Sequence, residues 1–321
     1  MEIFQDHSDF RQRIILSTLS GKAIKIEKIR EKDEEPGLLD YEINYLRLIE
    51  KITNGCEIEV NKTGTKLIFK PGLIIGGNIN HKCGKSRPIT YFLEGIACLI
   101  PFGKKPSTIT LTGITNAEPD ISIDTFSKVT IENIKKFGIG DEDSIGGNIS
   151  VKINKRATST DEGEVVFNCP IVKKIEANSA CGGRKNHQKG KMAGNSVGYG
   201  VSLIAKTNTK CLYGIDCFAH SGEVAEDLGK KSAIKILTEI SISSCVDSTH
   251  QWIMLLFMAL CPQDVSQIKL GKLSPYTISW LRGIRQFLGV LFKIKTDPES
   301  QNSVFLSCVG SGLTNISKRN F

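Results

Sequence analysis

Stretches of helical apolar spacing alternate with short apolar strands along the chain. Residues 38–53 carry apolar side chains at every third or fourth position, which predicts an amphipathic helix. Asn54-Gly55 follows and is expected to end that helix. Three further stretches, residues 23–29, 56–60 and 66–69, have strand character. The first third of the chain is therefore predicted to combine helices with short strands.

A similar order of elements recurs further along the chain. Predicted helices cover residues 87–99, 122–137, 224–241, 252–260 and 277–287. Predicted strands cover residues 107–113, 148–153, 164–168, 201–206, 211–216, 291–294 and 304–309. Helices and strands mixed at this spacing predict an α+β fold, built from repeated units packed around shared cores.

Length and hydropathy limit the class of protein. A chain of 321 residues with 40% hydrophobic content is long enough for one large domain or two moderate ones. The longest apolar run, residues 252–260, is far shorter than the roughly 20 residues that span a bilayer. The amino terminus has neither the basic flank nor the apolar core of a secretory signal. We expect a folded intracellular protein without a membrane span.

The ten cysteines are scattered singly among apolar neighbours. None forms a Cys-x-x-Cys pair, and Cys211 with Cys217 has no further ligand at the spacing of a zinc site. We therefore expect ordinary buried thiols and no bound metal or other cofactor.

The net charge of +8 is concentrated between residues 173 and 216. Within that range a single acid, Glu176, precedes Asp216, whereas the basic residues are Lys173, Lys174, Arg184, Lys185, Lys189, Lys191, Lys206 and Lys210. Interspersed glycines permit close backbone approach to a ligand. The segment is a candidate surface for a phosphate backbone, and a solvated loop explains the same composition.

Residues 245–251, Cys-Val-Asp-Ser-Thr-His-Gln, place several acid, base or nucleophile side chains directly before the apolar run 252–260. Polar groups at the start of a buried helix are a candidate active site. The chain lacks the common signatures of P-loop, dinucleotide-binding, nucleophile-elbow and zinc-protease enzymes. Any chemistry here would be of a less common kind.

Several blocks carry a family resemblance that extends over nearly the whole chain. They include residues 10–21 (FRQRIILSTLSG), 51–55 (KITNG), 101–106 (PFGKKP), 226–229 (EDLG) and 271–277 (GKLSPYT). In this order the blocks resemble the RNA 3′-terminal phosphate cyclase superfamily. More narrowly, they resemble its cyclase-like branch in eukaryotic ribosome biogenesis.

The resemblance implies βαβαββ-like repeats with a smaller α/β domain inserted between them. On this basis residues 1–179 form the first part of the core, 180–215 an abbreviated insert and 216–321 the last part of the core. A helix and a strand of the insert are expected to be missing, which reflects either true reduction or an error in the gene model.

The resemblance also bears on the candidate active site. In the cyclases a histidine four residues before the glutamine attacks ATP and forms a covalent nucleotidyl enzyme. The matching residue here is Asp247, and a carboxylate cannot form the required phosphoramidate. His250 remains as a substitute nucleophile or as a packed structural histidine. Asp161 and Glu162 replace glycines near the expected phosphates and would repel a nucleotide.

The function implied by the resemblance is therefore noncatalytic. The chain is expected to act in the nucleus and nucleolus, within the small-subunit processome, in pre-18S rRNA processing and 40S subunit biogenesis. A nucleolar GTPase and pre-rRNA are the expected partners, without a cofactor. The candidate residues for RNA or partner binding are Arg11, Arg30, Arg184, Lys185, Lys189, Lys191, Arg282 and Arg285.

Alternatives to this function remain open at the level of sequence. One is residual ATP-dependent cyclization of RNA ends, which Asp247 disfavours. Another is cleavage of pre-rRNA as an endonuclease, which needs only a few well-placed charged groups. For Arg282 and Arg285, a solvated helix face is an equal explanation, and sequence does not separate RNA contact from GTPase contact.

Overall fold

The computed structural model describes residues 1–142, 144–158, 162–176, 199–220, 222–298 and 300–315. Its helices are α1 (Phe10–Ser20), α2 (Asp40–Ile52), α3 (Ile89–Ala97), α4 (Ile123–Thr125), α5 (Ile131–Lys135), α6 (Ala225–Ser241), α7 (Gln251–Leu260) and α8 (Pro275–Leu288). A 3₁₀ turn spans Ile100–Phe102, and a π-helical turn, Phe126–Thr130, joins α4 to α5.

The strands are short and are distributed over the whole described chain. They are β1 (Glu2–Phe4), β2 (Ile24–Ile26), β3 (Thr53–Asn54), β4 (Glu57–Val60), β5 (Leu67–Lys70), β6 (Leu73–Ile74), β7 (Asn78–Gly84), β8 (Ser107–Gly113), β9 (Ser150–Lys155), β10 (Gly163–Cys169), β11 (Gly200–Lys206), β12 (Leu212–Phe218), β13 (Val265–Gly271), β14 (Lys293–Asp297) and β15 (Ser300–Val309).

Two four-stranded sheets have the same internal order. The first runs β1-β2-β5-β4 and the second β7-β8-β10-β9. In each sheet the first two strands are parallel and are connected through a helix, α1 or α3, while the other pairings are antiparallel. Each unit therefore follows the order βαβαββ, and the second repeats the first.

The last part of the chain builds a third, less complete unit. Strands β13, β15 and β14 form an antiparallel sheet that matches the last three positions of the other two sheets. The segment at Cys245 takes the place that the first strand has in the other two sheets. Its backbone N–H donates to the carbonyl of Lys269 on β13 at 2.9 Å. Helix α7 then leads into β13. The prediction of an α+β fold of repeated units is thereby confirmed.

Helix α7 lies at the centre of the core. Every residue from Gln251 to Leu260 is buried, as expected for a helix that is apolar on all faces. Helix α8 packs beside it and begins at a Ser274 cap, whose hydroxyl accepts from the N–H of Thr277 at 3.1 Å. Pro275 occupies the first helical position, where its missing N–H costs nothing.

A hairpin and a helix follow the second unit. Strands β11 and β12 pair antiparallel from Gly200 to Phe218, and α6 packs on both of them. Asp216 on β12 fastens the hairpin to the start of α4, because its carboxylate accepts from the N–H of Ser122 at 2.8 Å and from Oγ1 of Thr125 at 2.9 Å. The predicted boundary after residue 215 falls inside β12. Residues 177–198, which hold most of the predicted insert, lie outside the described residues.

Most predicted elements occur in the structure with shifted ends. Some elements of the structure were not predicted. The helix predicted over residues 122–137 contains the π-helical turn in its middle. Strands β7 and β13 were missed. On β7, His81 and Cys83 take the buried positions, and on β13 the apolar Val265 is exposed while Ile268 and Leu270 are buried. Neither strand therefore has the clean alternation of apolar and polar residues that marks a strand.

Candidate functional site

Asp247 and His250 form a buried polar pair at the start of α7. His250 Nδ1 lies 2.7 Å from Oδ1 of Asp247, and each residue is only 1% exposed. Oδ1 also accepts from the backbone N–H groups of Thr249 and His250, each at 3.0 Å. Oδ2 accepts from the N–H of Gly214 on β12 at 2.8 Å. The carboxylate thus joins the turn before α7 to the hairpin.

The second nitrogen of His250 is also engaged. Nε2 lies 2.8 Å from Oγ1 of Thr130, at the end of the π-helical turn. Burial alone would lower the pKa of His250, but the charge and hydrogen bond of Asp247, with Glu94 and Asp216 nearby, raise the pKa above its usual value. With both ring nitrogens bonded inside the core, the imidazole presents no lone pair to a substrate.

A separate cleft lies where the three units meet. Its volume is about 280 Å³. It is lined by His7, Ser8, Asp9, Phe10, Arg11, Gln12, Arg30, Tyr41, Glu42, Arg87, Tyr91 and Tyr276. Three arginines and three tyrosines line the same cleft, an arrangement that can stack on aromatic rings and donate to anionic oxygens.

Arg11 is held firmly on the inner wall of the cleft. Its guanidinium forms an ion pair with Glu94 at 2.8 Å and donates to the carbonyl of Tyr91 at 2.8 Å. It also donates to the hydroxyl of Tyr276 at 3.0 Å and lies over the ring of Tyr91, 4.6 Å from its centroid. Since α1, α3 and α8 contribute these groups, Arg11 links all three units.

The other two arginines of the cleft are also paired with carboxylates. Arg30 binds Glu42 through two hydrogen bonds of 2.8 Å each. Arg87 lies 3.1 Å from Oδ2 of Asp120 and is stacked near Tyr41, with 5.1 Å from its guanidinium carbon to the ring centroid. Each positive charge on the wall therefore has a negative neighbour.

The electrostatic balance of the cleft depends on Asp120. Burial raises the pKa of Asp120 to about 6, although Arg11 and Arg87 act in the opposite direction. Near neutral pH, the three carboxylates largely offset the three guanidinium charges. Such a cleft is poorly suited to a polyphosphate, which needs an excess of positive charge.

The structure separates the arginines expected to bind RNA or a partner. Arg11 and Arg30 are engaged in the cleft, whereas Arg282 and Arg285 lie exposed on α8, three residues apart on one face. Arg184, Lys185, Lys189 and Lys191 lie outside the described residues, as does Asp161. Glu162 is exposed and pairs with Lys155 at 2.8 Å.

Sequence reasoning missed Arg87, Tyr41 and Tyr91 as members of the cleft and Asp120 as the partner of Arg87. These residues come from separate parts of the chain, and no short motif contains them. Among the described residues, no group of three or more His, Cys, Asp or Glu side chains is arranged to hold a metal ion. In the same part of the chain, none of the helices has the length and apolar character needed to cross a membrane.

Comparison with known proteins decides the family. The family model for RNA 3′-terminal phosphate cyclase matches residues 3–294. The chain belongs to the RNA 3′-terminal phosphate cyclase family. It is 41% identical to a probable RNA 3′-terminal phosphate cyclase-like protein of Dictyostelium discoideum, over 99% of each chain. It is 38% identical to the human RNA 3′-terminal phosphate cyclase-like protein, over 96% of this chain and 95% of that protein.

The name of a third relative in the cyclase family states a function. The rRNA processing protein rcl1 of Schizosaccharomyces pombe is 32% identical, over 96% of this chain and 95% of that protein. The predicted membership in the cyclase family is confirmed by these matches. The relatives are named cyclase-like or rRNA processing proteins.

The alignment with the Dictyostelium cyclase-like protein contains gaps in this chain. It extends over 375 positions, whereas the chain has 321 residues. The relative therefore has residues that this member of the cyclase family lacks.

Proposed function

We propose that this chain is a noncatalytic cyclase-like factor in the processing of pre-18S rRNA. In this proposal it acts within the small-subunit processome in the nucleolus, binds a nucleolar GTPase there and contributes to the biogenesis of the 40S subunit. The name of the Schizosaccharomyces pombe relative, an rRNA processing protein, supports the general role. The processome, the GTPase and the nucleolar location come from the family resemblance.

The observation that carries the noncatalytic proposal is the buried Asp247–His250–Thr130 chain of hydrogen bonds. A nucleotidyl enzyme of the cyclase type needs a free imidazole nitrogen. Asp247 occupies the position that the resemblance gives to that histidine, and its oxygens are occupied by backbone N–H groups and His250. The paired arginines of the cleft support the same proposal, because they leave little excess charge for ATP.

Arg282 and Arg285 are the described candidates best placed to contact a partner. Both lie exposed on α8, and their guanidinium groups are free to approach a phosphate backbone or an acidic protein surface. Arg11 and Arg30 are less suited to this role because Glu94 and Glu42 already bind them. We therefore assign binding to α8 and a structural role to the cleft arginines.

A depletion and rescue experiment tests the proposed function. In depleted cells, pre-18S intermediates should accumulate, and Asp247→Asn should restore their processing because asparagine keeps the size of the side chain and one acceptor oxygen. A double substitution, Arg282→Ala with Arg285→Ala, should restore it poorly. Lys230→Ala with Lys231→Ala is the matched control, because those lysines are exposed on α6.

The outcome of that rescue separates binding from catalysis. If Asp247→Asn folds and accumulates normally but fails to restore processing, the noncatalytic proposal is wrong. Binding of the purified variants to a pre-rRNA fragment and to the GTPase, measured separately, assigns α8 to RNA or protein. Cleavage of that fragment at one site by the purified chain, lost in Arg282→Ala, would replace the proposal with an endonuclease.

A further inference from the structure

Cys211 and Cys245 are placed opposite each other in the structure. Leu212, the first residue of β12, forms an isolated parallel bridge with Val246. Each cysteine comes one position before a bridge residue, so the two side chains leave neighbouring backbones in the same direction. The backbone of Cys245 is fixed further by its hydrogen bond to Lys269 on β13.

Both thiols are partly accessible, in contrast to most other cysteines of the described chain. Cys211 and Cys245 are half-buried, whereas Cys83, Cys98 and Cys169 are buried. The backbone N–H of Cys211 donates to Oγ1 of Thr207 at 3.0 Å, and its sulfur lies 3.6 Å from Oγ1 of Thr209. The backbones of both cysteines are therefore held by hydrogen bonds, and neither residue is fully buried.

The surroundings favour a thiolate on Cys211. The neighbouring Cys245 thiol lowers the pKa of Cys211 by donating a hydrogen bond to its sulfur, and the Thr209 and Thr207 hydroxyls and the Lys136 ammonium act in the same direction. The pKa of Cys245 is correspondingly raised, first by that same interaction and then by burial. The Thr209 hydroxyl beside the Cys211 sulfur favours that sulfur as the nucleophile and Cys245 as the thiol that keeps its proton.

We propose that Cys211 and Cys245 are a peroxide-reactive thiol pair that closes to a reversible disulfide. Cys211 is the sulfur that reacts first, and Cys245 is the resolving thiol. This site is separate from the arginine cleft and does not depend on the proposed function in rRNA processing.

The chemistry balances with hydrogen peroxide as the oxidant. The Cys211 thiolate attacks one peroxide oxygen, the O–O bond breaks and the hydroxide that leaves takes up a proton to form water, which gives a sulfenic acid. The Cys245 sulfur then attacks the Cys211 sulfur. The S–S bond forms, the S–O bond breaks, and the departing hydroxide leaves as water with the Cys245 proton. Each sulfur loses one electron, and the peroxide is reduced to two waters.

The bond would join the hairpin to the core. Cys211 precedes β12, and Cys245 precedes α7, so the closed loop would contain β12 and α6. A cross-link of this kind restricts the unfolded chain and the local opening of the segments inside the loop. The oxidised protein should therefore exchange the amide hydrogens of β12 and α6 more slowly than the reduced protein.

Peptide mapping of the full chain tests the proposal. After treatment with hydrogen peroxide and blocking of free thiols, mass spectrometry should find a peptide pair joined through Cys211 and Cys245, lighter by two hydrogen atoms and separated by dithiothreitol. Cys56→Ser is the matched control, because Cys56 is also half-buried but burial raises its pKa. That variant should form the same bond at the same rate as the parent chain.

Single variants give a second readout that does not need the bond itself. Cys245→Ser should leave a sulfenic acid on Cys211 that dimedone traps, and Cys211→Ser should leave Cys245 much less reactive. The proposal is wrong if peroxide joins Cys211 to a different cysteine. It is also wrong if Cys211 in the folded parent chain is oxidised to sulfinic or sulfonic acid without cross-linking, or reacts no faster than Cys56.

Discussion

His250 Nδ1 lies 2.7 Å from Oδ1 of Asp247, within a pair that is almost completely buried at the start of α7. The same carboxylate accepts from backbone groups on both sides of a junction between α7 and β12. A position that the family resemblance gives to a catalytic histidine is thus occupied by a residue with structural contacts. Substitutions that remove the Asp247 acceptor or the His250 ring should accordingly lower the stability of the fold.

Asp247→Ala should be strongly destabilising. The change leaves the buried N–H of Gly214 and the buried ring of His250 without their acceptor. Breaking a buried charged pair on one side costs about 3–5 kcal/mol, and we expect a loss in that range. Urea unfolding measures it, with Asp227→Ala on exposed α6 as a control that should change stability by less than about 0.5 kcal/mol. Equal small losses for both variants would show that the buried network contributes little.

The raised pKa of His250 predicts a specific dependence of stability on pH. The folded chain holds the imidazolium proton more tightly than the unfolded chain, whose histidine has a pKa of about 6.5. The stabilisation is therefore fully present below about pH 6.5 and is lost as pH rises through the higher folded value. In His250→Gln this dependence should disappear. The free energy of unfolding of both chains, measured from slightly acidic to alkaline pH, checks this, and a constant difference between them would contradict it.

The raised pKa of Asp120 predicts a second dependence of stability on pH, in a lower range. Its folded pKa of about 6 exceeds the unfolded value of about 3.9, so the folded state retains a proton that the unfolded state has lost. Stability should therefore fall as pH rises from about 4 to about 6, by at most about 3 kcal/mol.

Asp120→Asn removes the titrating carboxyl that causes this fall. The variant should gain stability relative to the parent chain as pH increases through that range. Its free energy of unfolding should stay constant where that of the parent chain falls. Parallel curves for the two chains would mean that Asp120 is already ionised near its unfolded pKa.

Gly283 is required by the contact between α8 and α1. A Cβ at this position would lie 2.5 Å from Nε2 of Gln12 and 2.6 Å from Cδ1 of Leu16. Gly283→Ala should therefore cost about 1–3 kcal/mol by overpacking. Gly229→Ala on α6 is the matched control, because nothing lies within 4 Å of its added Cβ. That change should be neutral or stabilising by up to about 1 kcal/mol. Thermal unfolding compares the stabilities of the two variants. A Gly283→Ala variant that is more stable than Gly229→Ala would contradict the packing.

The repeated units could be predicted because their strands and helices have local signals. Helix α2 and strand β8 follow regular apolar spacing, and Asn54-Gly55 marks the end of α2 within two residues. The first two sheets then repeat one connection order, which the alternation of elements already indicated.

The site could be predicted only in part. The segment around Asp247 was identified from its position before an apolar helix, but the partner of His250, Thr130, lies in a π-helical turn of another unit. The pairing of Arg87 with Asp120 and Tyr41 likewise joins separate elements. Such contacts follow from tertiary packing, for which a single sequence contains no local signal.

Covalent nucleotide transfer tests the central claim most directly. The purified full chain would be incubated with ATP and magnesium, then denatured and weighed by mass spectrometry alongside His250→Gln. We predict that the parent chain gains no covalent adenylate, because Asp247 replaces the nucleophile and both nitrogens of His250 are bonded in the core. A stable adenylate on the parent chain that is absent from a folded His250→Gln variant would contradict the noncatalytic account.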